Sequence, residues 1–215
     1  MEKIVRFLSI ALILLAITAS CSSNSEYATQ NQSESTQQES TENAKSGAVF
    51  YKVEDAQGKL LAEIMINGTN IELKVQNVHY KSKLSGDKRK YQSQDEEIVA
   101  EVKYKGEESI KLRTAGAELK WKVKFYDDKV KISDNEENLN PYQIKFKEEN
   151  RSKVYSEDTE IGNVRFAENK IEVKGESVEY HIKTDKMSSA FGVMLIEANE
   201  LDKAILIAEL IAKGL

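Results

Sequence analysis

The sequence predicts a mainly β domain of about twelve antiparallel strands, which form a closed or nearly closed barrel around a buried C-terminal helix. Two observations support this fold class. From residue 48 to about residue 183, β-branched and aromatic residues alternate with Lys and Glu, as in strands with one buried and one solvated face. Residues 201–213 then have the composition of a helix with apolar side chains on every side. Such a helix must be buried all round, and a surrounding barrel would bury it.

The first twenty residues have the three parts of an export signal. Lys3 and Arg6 form a short basic segment, residues 7–17 are almost entirely apolar, and small residues at 18–20 precede Cys21. A membrane-spanning helix needs roughly 20 apolar residues, which is more than this stretch provides. We therefore interpret residues 1–20 as a cleavable signal peptide.

The segment 17–21, Ile-Thr-Ala-Ser-Cys, resembles the lipobox of bacterial lipoprotein precursors, with Thr18 where that family usually has Leu. The resemblance implies that Cys21 carries diacylglycerol on its thiol and becomes the lipidated N-terminus, with palmitate-type acyl chains. The protein would then be anchored to the cell membrane or the outer membrane, facing outside the cytoplasm. An ordinary secretory signal, which would leave Cys21 as a free thiol, is the alternative. Cys21 is the only cysteine, so an intramolecular disulfide is impossible.

Residues 21–46 are predicted to be the lipidated N-terminus and a disordered tether, and residues 47–215 the folded domain. Residues 22–46 consist almost entirely of Ser, Thr, Gln, Asn and Glu, and Tyr27 is their only large hydrophobic residue. Such a composition buries too little apolar surface to offset the entropy lost on folding. A flexible segment of this length would span roughly 25–30 Å.

The strands of the domain are predicted from short alternating runs that turn signals such as Asn67-Gly68 and Lys174-Gly175 separate. Many short strands at even spacing indicate a meander, sandwich or barrel rather than a parallel sheet. The single proline, Pro141, stands at a strand start, where the missing N–H is tolerated. The runs are residues 49–53, 60–66, 71–75, 98–104, 109–113, 119–125, 130–132, 142–146, 153–155, 161–166, 171–173 and 178–182.

The succession of about twelve amphipathic strands and a core helix is similar to the tubby C-terminal, LURP-one-related and phospholipid scramblase superfamily. Residues 111–123 and 158–166 resemble its turn-and-strand units. The resemblance covers about residues 47–215 and implies a barrel around a helix, in a family with several members tied to membranes or phosphoinositides. It transfers no binding residue, and the calcium segment and membrane-inserting tail of scramblases have no clear counterpart in the sequence.

Charge restricts the class of partner. The formal net charge is −5, or about −6 without residues 1–20, which argues against nucleic acid as a partner. Positive charge is concentrated around residues 85–87, in a segment predicted to be a loop that would contact the phosphate head groups of anionic lipids or an anionic glycan. The other expected class of partner is an envelope protein. The alternative is a solvated loop whose lysines discourage strand pairing. The basic residues are Lys81, Lys83, Lys88, Arg89 and Lys90.

The residues expected for ordinary catalysis or metal binding are missing from the sequence. His79 and His181 lack neighbouring ligands at metal spacing, so we expect no metal site and no cofactor. Asp134, Glu136 and Asn138 have the spacing of a calcium loop, but the glycine and distal Glu of an EF-hand are missing. We therefore predict a non-enzymatic binding or structural domain. An envelope hydrolase or transferase on a β scaffold is the alternative.

Overall fold

The computed structural model describes residues 47–147 and 150–215, so the predicted signal peptide, tether and Cys21 lie outside the described residues. The described residues form fourteen strands, a 3-10 helix and an α-helix. The strands are β1 Val49–Asp55, β2 Leu60–Asn67, β3 Asn70–Val75, β4 Val78–Ser85, β5 Lys88–Gln92, β6 Ile98–Lys105, β7 Ser109–Thr114, β8 Leu119–Phe125, β9 Lys129–Ser133, β10 Tyr142–Lys147, β11 Arg151–Ser156, β12 Thr159–Ala167, β13 Lys170–Gly175 and β14 Glu179–Lys183. The helices are the 3-10 helix Ser189–Leu195 and α1 Glu200–Ala212.

The strands form a closed antiparallel barrel. Each strand pairs with the next in the chain, and β1 completes the circle by pairing with β14, with Val53 opposite Ile182. The predicted barrel is therefore confirmed. It has fourteen strands instead of about twelve, because β4 and β5 form from a segment that we had predicted to be a loop.

The barrel has two distinct ends. Odd-numbered strands begin and even-numbered strands finish at one of them, which we call the proximal end because β1 starts there. The turns β2–β3, β4–β5 and β6–β7 lie at the proximal end. The turns β1–β2, β3–β4 and β5–β6 lie at the opposite, distal end.

The interior is filled by the two helices. The prediction of a buried C-terminal helix is confirmed, since residues 202–210 of α1 are all buried. Asn199 caps the helix by accepting a hydrogen bond from the Asp202 N–H at 2.9 Å. Each fully buried Leu or Ile of α1 contributes about 1.5–3 kcal/mol through the hydrophobic effect. Much of the domain's stability therefore depends on this helix.

The 3-10 helix occupies the side of the interior next to β10–β13, opposite α1. The ring of Phe191 packs against Tyr51 of β1 with a centroid separation of 5.3 Å. At Gly192 a Cβ atom would lie 3.0 Å from side-chain atoms of both Ile144 and Val154. Glycine therefore allows the helix to lie directly on the barrel wall.

Candidate functional site

The predicted basic segment is a β-hairpin, which corrects our expectation of a loop. Strands β4 and β5 are joined by a two-residue turn in which Gly86 has a positive φ of 59°. Alternation places Lys81, Lys83, Lys88 and Lys90 on the outer face of the wall, with Lys83 directly opposite Lys90. We call these four residues the hairpin lysines.

Arg89 is a second correction, because its side chain points into the barrel. It is only 4% exposed and forms an ion pair with Glu209 of α1, with Arg89 Nε 3.0 Å from Glu209 Oε1. Arg89 is therefore unable to contact a lipid head group on the surface. Its role is in the core.

The same polar residues explain why sequence patterns failed to show these two strands. The inward positions of β4 and β5 include Ser82 and Arg89, where the other strands mostly have Val, Ile or Leu. Alternation of apolar with polar residues is the main signal for a strand, and Ser82 and Arg89 interrupt it here. Ser82 Oγ accepts hydrogen bonds from the Ile71 N–H and from Arg89, so the polar inward positions satisfy one another.

A shallow groove of about 450 Å³ runs along the outer face of the hairpin. Among the described residues, carboxylates pair with just one of the hairpin lysines, since Lys88 Nζ lies 3.0 Å from Glu101 Oε1. The ammonium groups of Lys83 and Lys90, which line the groove, are available to an anion that enters it. The residues lining it are Lys83, Ser85, Lys88, Lys90, Gln92 and Ile98.

Inside the wall, Glu209 is the centre of a buried polar cluster. The Tyr91 hydroxyl donates to Glu209 Oε1 at 2.7 Å, and the Tyr104 hydroxyl donates to Oε2. Arg89 Nε lies 3.0 Å from the Tyr104 hydroxyl, and its Nη1 donates to the carbonyl of Thr69. Three neighbouring groups of β5 and β6 thus hold one carboxylate of α1 at a single position in the barrel.

Burial and mutual contacts shift the pKa values in this cluster. Burial raises the pKa of Glu209, while Arg89 and the two tyrosine hydroxyls oppose that shift. For Arg89, burial acts to lower the pKa, but Glu209 and Tyr104 outweigh it, so the pKa is raised. Burial and the Glu209 carboxylate both raise the pKa values of Tyr91 and Tyr104, which keeps these hydroxyls protonated as donors.

The cluster was missed by reasoning from the sequence. One signal was present, because Glu209 is the only acidic residue within the otherwise apolar stretch 204–212. Its partner could not be identified, since Arg89 lies far away in the chain and was assigned to the surface. Glu209 and Tyr91 are 0% exposed, so the cluster is enclosed by the barrel and α1. These contacts fix the depth of α1 within the barrel and its rotation about its own axis.

The other candidate residues are separated from one another. His181 Nε2 lies 3.0 Å from Glu179 Oε1 on the outer wall, and His79 is exposed on β4. In the calcium-like loop between β9 and β10, Glu136 forms ion pairs with lysines of β7 and β8, while Asn138 accepts from Ser133 Oγ at 3.0 Å. Within residues 47–147 and 150–215, no group of three or more His, Cys, Asp or Glu side chains is placed to hold a metal ion.

The longer of the two described helices, α1, has thirteen residues, and neither helix is long and apolar enough to cross a membrane. Comparison of the sequence with protein-family models and with curated proteins finds no match. The charges and contacts of the chain itself are therefore the basis for assigning its function.

Proposed function

We infer that the protein is a lipid-anchored component of the cell envelope whose barrel binds anionic membrane head groups without catalysing a reaction. One observation carries this proposal: the hairpin lysines project together from one face of the wall. The β4–β5 turn also lies at the proximal end, where the chain enters β1. A flexible tether from Cys21 would let this end of the barrel, and with it the hairpin, reach the membrane that holds the anchor.

The energetics fit a weak, reversible contact. Each basic residue close to an anionic surface contributes about 1 kcal/mol, and salt screens the attraction beyond roughly 10 Å at 0.1 M. Four lysines would supply about 4 kcal/mol at most, and less if Lys88 keeps its carboxylate partner Glu101. A lipid anchor combined with such a basic surface is an effective two-signal arrangement for membrane attachment.

Membership of the tubby, LURP-one-related and scramblase superfamily is part of the proposal. A closed antiparallel barrel with a C-terminal helix at its centre supports it. Fold alone does not imply function, so the lipid contact is argued from the hairpin lysines of this chain and not from the family.

Lipidation is tested by metabolic labelling with a clickable palmitate in a bacterial host. We expect the wild-type protein to be labelled and Cys21→Ala to lose the label, while Ser22→Ala keeps it as the matched control. Labelling that persists in Cys21→Ala would contradict the proposal.

Head-group contact is tested by vesicle co-sedimentation of the chain from Ser22 to Leu215, which lacks the anchor. We expect weak binding to anionic vesicles at low salt, none to neutral vesicles, and loss on changing Lys83, Lys88 and Lys90 to Gln. The control changes Lys170, Lys174 and Lys183 to Gln, because these lysines lie on a different part of the wall and all have carboxylate partners there. Equal binding to neutral and anionic vesicles would overturn the head-group assignment.

A further inference from the structure

A second and larger basic surface lies on the wall formed by β8, β9, β10 and β11. These four consecutive strands contain eight lysines and one arginine and no acidic residue. The residues between the lysines point inward, and Val123, Val130, Ile144 and Val154 are fully buried. The outward lysines at the centre of this surface, which we call the lysine face, are Lys124, Lys129, Lys131, Lys145 and Lys153.

Strand register places like charges directly opposite one another across the lysine face. Lys124 is paired with Lys131, and Lys145 lies between Lys129 and Lys153. Like charges at directly opposed positions destabilise a sheet. Among the described residues, carboxylates pair only with the two flanking members, Asp128 with Lys129 at 3.4 Å and Glu160 with Lys153 at 2.6 Å.

The usual structural reasons for surface lysines do not account for this arrangement. Lysines often protect an exposed sheet edge, but a closed barrel has no edge. The lysines are also not needed to keep the net charge away from zero, because the chain is already acidic. On the wall formed by β13, β14, β1 and β2, by contrast, lysines and glutamates alternate and form ion pairs.

Two tyrosine rings hold the ammonium groups in place without neutralising them. Lys145 Nζ lies 4.3 Å from the centroid of the Tyr155 ring. Lys129 and Lys131 both lie 5.7 Å from the centroid of Tyr126. Cation–π contacts of this kind favour one position of the ammonium group and leave its full positive charge available to an anion.

The lysine face and the hairpin lysines cannot contact one flat membrane together. The middle of the lysine face is five strand positions from the β4–β5 hairpin in a ring of fourteen, which is more than a third of the circumference. If the hairpin faces a bilayer, the lysine face is directed away from it. Its partner must therefore be something other than that bilayer.

The geometry points to a linear phosphodiester polymer, of the polyol-phosphate type, as the ligand of the lysine face. The neighbouring strands from which these lysines project are roughly 4.8 Å apart, which suits a chain with one charge on each short repeat unit. Lysine acts as a point charge that binds phosphate without the planar geometry that arginine imposes. A flexible polymer can also follow a convex wall. This inference rests on the proposed function, because export is what would bring the chain to polymers of the envelope.

The test measures binding of fluorescently labelled poly(glycerol phosphate) to the purified full chain in a non-ionic detergent. We expect the variant with Lys124, Lys131 and Lys145 changed to Gln to bind at least about tenfold more weakly at low salt. Its slope of log affinity against log salt should be smaller by about two, as expected for three lost phosphate contacts. The matched control changes Lys170, Lys174 and Lys183 to Gln, because these lysines already have carboxylate partners, and should bind the polymer like wild type.

The outcomes separate this inference from the proposed function. Wild-type affinity in the lysine-face variant overturns the polymer site, as does equal loss in the control variant. An oligodeoxythymidylate that binds as tightly as poly(glycerol phosphate) also overturns it and identifies a general nucleic-acid surface. Melting temperatures of both variants show whether any loss reflects misfolding. The hairpin variant's loss of vesicle binding tests the proposed function independently, whichever way the polymer result falls.

Discussion

The two sides of the barrel wall use charge in opposite ways. Inside, the Glu209 carboxylate is matched by Arg89 and two tyrosine hydroxyls and is itself closed to solvent. Outside, on the lysine face, cations stand opposite cations with carboxylates at the flanks alone. Interior charge is tolerated only where partners are complete, whereas water screens exterior charge and allows a local excess.

Strand β5 shows the contrast between neighbouring residues. Arg89 points inward and has four polar partners, while Lys90 points outward and is exposed. Removing Arg89 should therefore affect folding, and removing Lys90 should affect only the surface.

The largest effect is expected from placing an unmatched carboxylate inside the barrel. Leu206 is fully buried in α1, so Leu206→Asp would bury a charge with no partner. The penalty is several kcal/mol, comparable with the whole stability of a domain. We expect urea denaturation and circular dichroism to show an unfolded chain. Leu206→Met, a change that nearly conserves volume, should cost less than about 1.5 kcal/mol, and a folded Leu206→Asp would contradict the core position of α1.

The next largest effect is expected from removing one member of the interior pair. Arg89→Met leaves Glu209 buried without its cation, which should lower the free energy of unfolding by about 3–5 kcal/mol. The matched control is Lys90→Met on the outer face of the same strand, where we expect a change within about 0.5 kcal/mol. Chemical denaturation of both variants measures the difference. Similar values would show that the pair contributes nothing specific to the fold.

The pH dependence of Arg89→Met should reveal the protonation of Glu209. Burial raises the pKa of Glu209 and Arg89 opposes the rise, so the pKa should be higher still in the variant. A carboxyl group with a folded pKa above its unfolded value takes up a proton on folding, and stability then falls as pH rises through the folded value. We expect the variant to lose stability relative to wild type as pH rises above the pKa of an unfolded glutamate, about 4.3. The double variant Arg89→Met/Glu209→Leu should lack this dependence, and a flat profile for the single variant would show that Glu209 does not titrate there.

The smallest effect is expected on the lysine face, where the substitution should raise the stability of the domain instead of lowering it. Lys131→Glu would place a carboxylate opposite Lys124, replacing a repulsive pair by an attractive one. Stability should increase by about 0.2–1 kcal/mol, while affinity for poly(glycerol phosphate) should fall. Thermal denaturation at low and high salt measures the gain, which should decrease as salt screens it. A loss of stability would show that Lys131 has a structural role that its contacts do not reveal.

Most of the fold could be predicted from the sequence because its signals are local. Alternation over two residues identified twelve strands, and the all-round apolar surface of residues 201–213 placed the helix inside. Strands β4 and β5 escaped because Ser82 and Arg89 occupy inward positions. Their polar groups become compatible with burial only when Ile71, Thr69 and the distant Glu209 supply partners.

The candidate sites could be predicted only in part. The hairpin lysines are close together in the chain, so a cluster of positive charge was visible before its shape was known. The lysine face was not visible, since its members alternate with apolar residues in four separate strands. Strand register alone determines that Lys129 and Lys153 both lie beside Lys145.

The class of the domain, its core helix and the alternation of each strand follow from the sequence alone, because backbone geometry converts local patterns into buried and exposed faces. Which charged groups contact one another depends on the tertiary structure. It brought Glu209 to Arg89 across the barrel and aligned lysines from neighbouring strands on its surface. Electrostatic energy depends on the distance between groups in space and on the surrounding dielectric, and neither quantity is contained in a local sequence pattern.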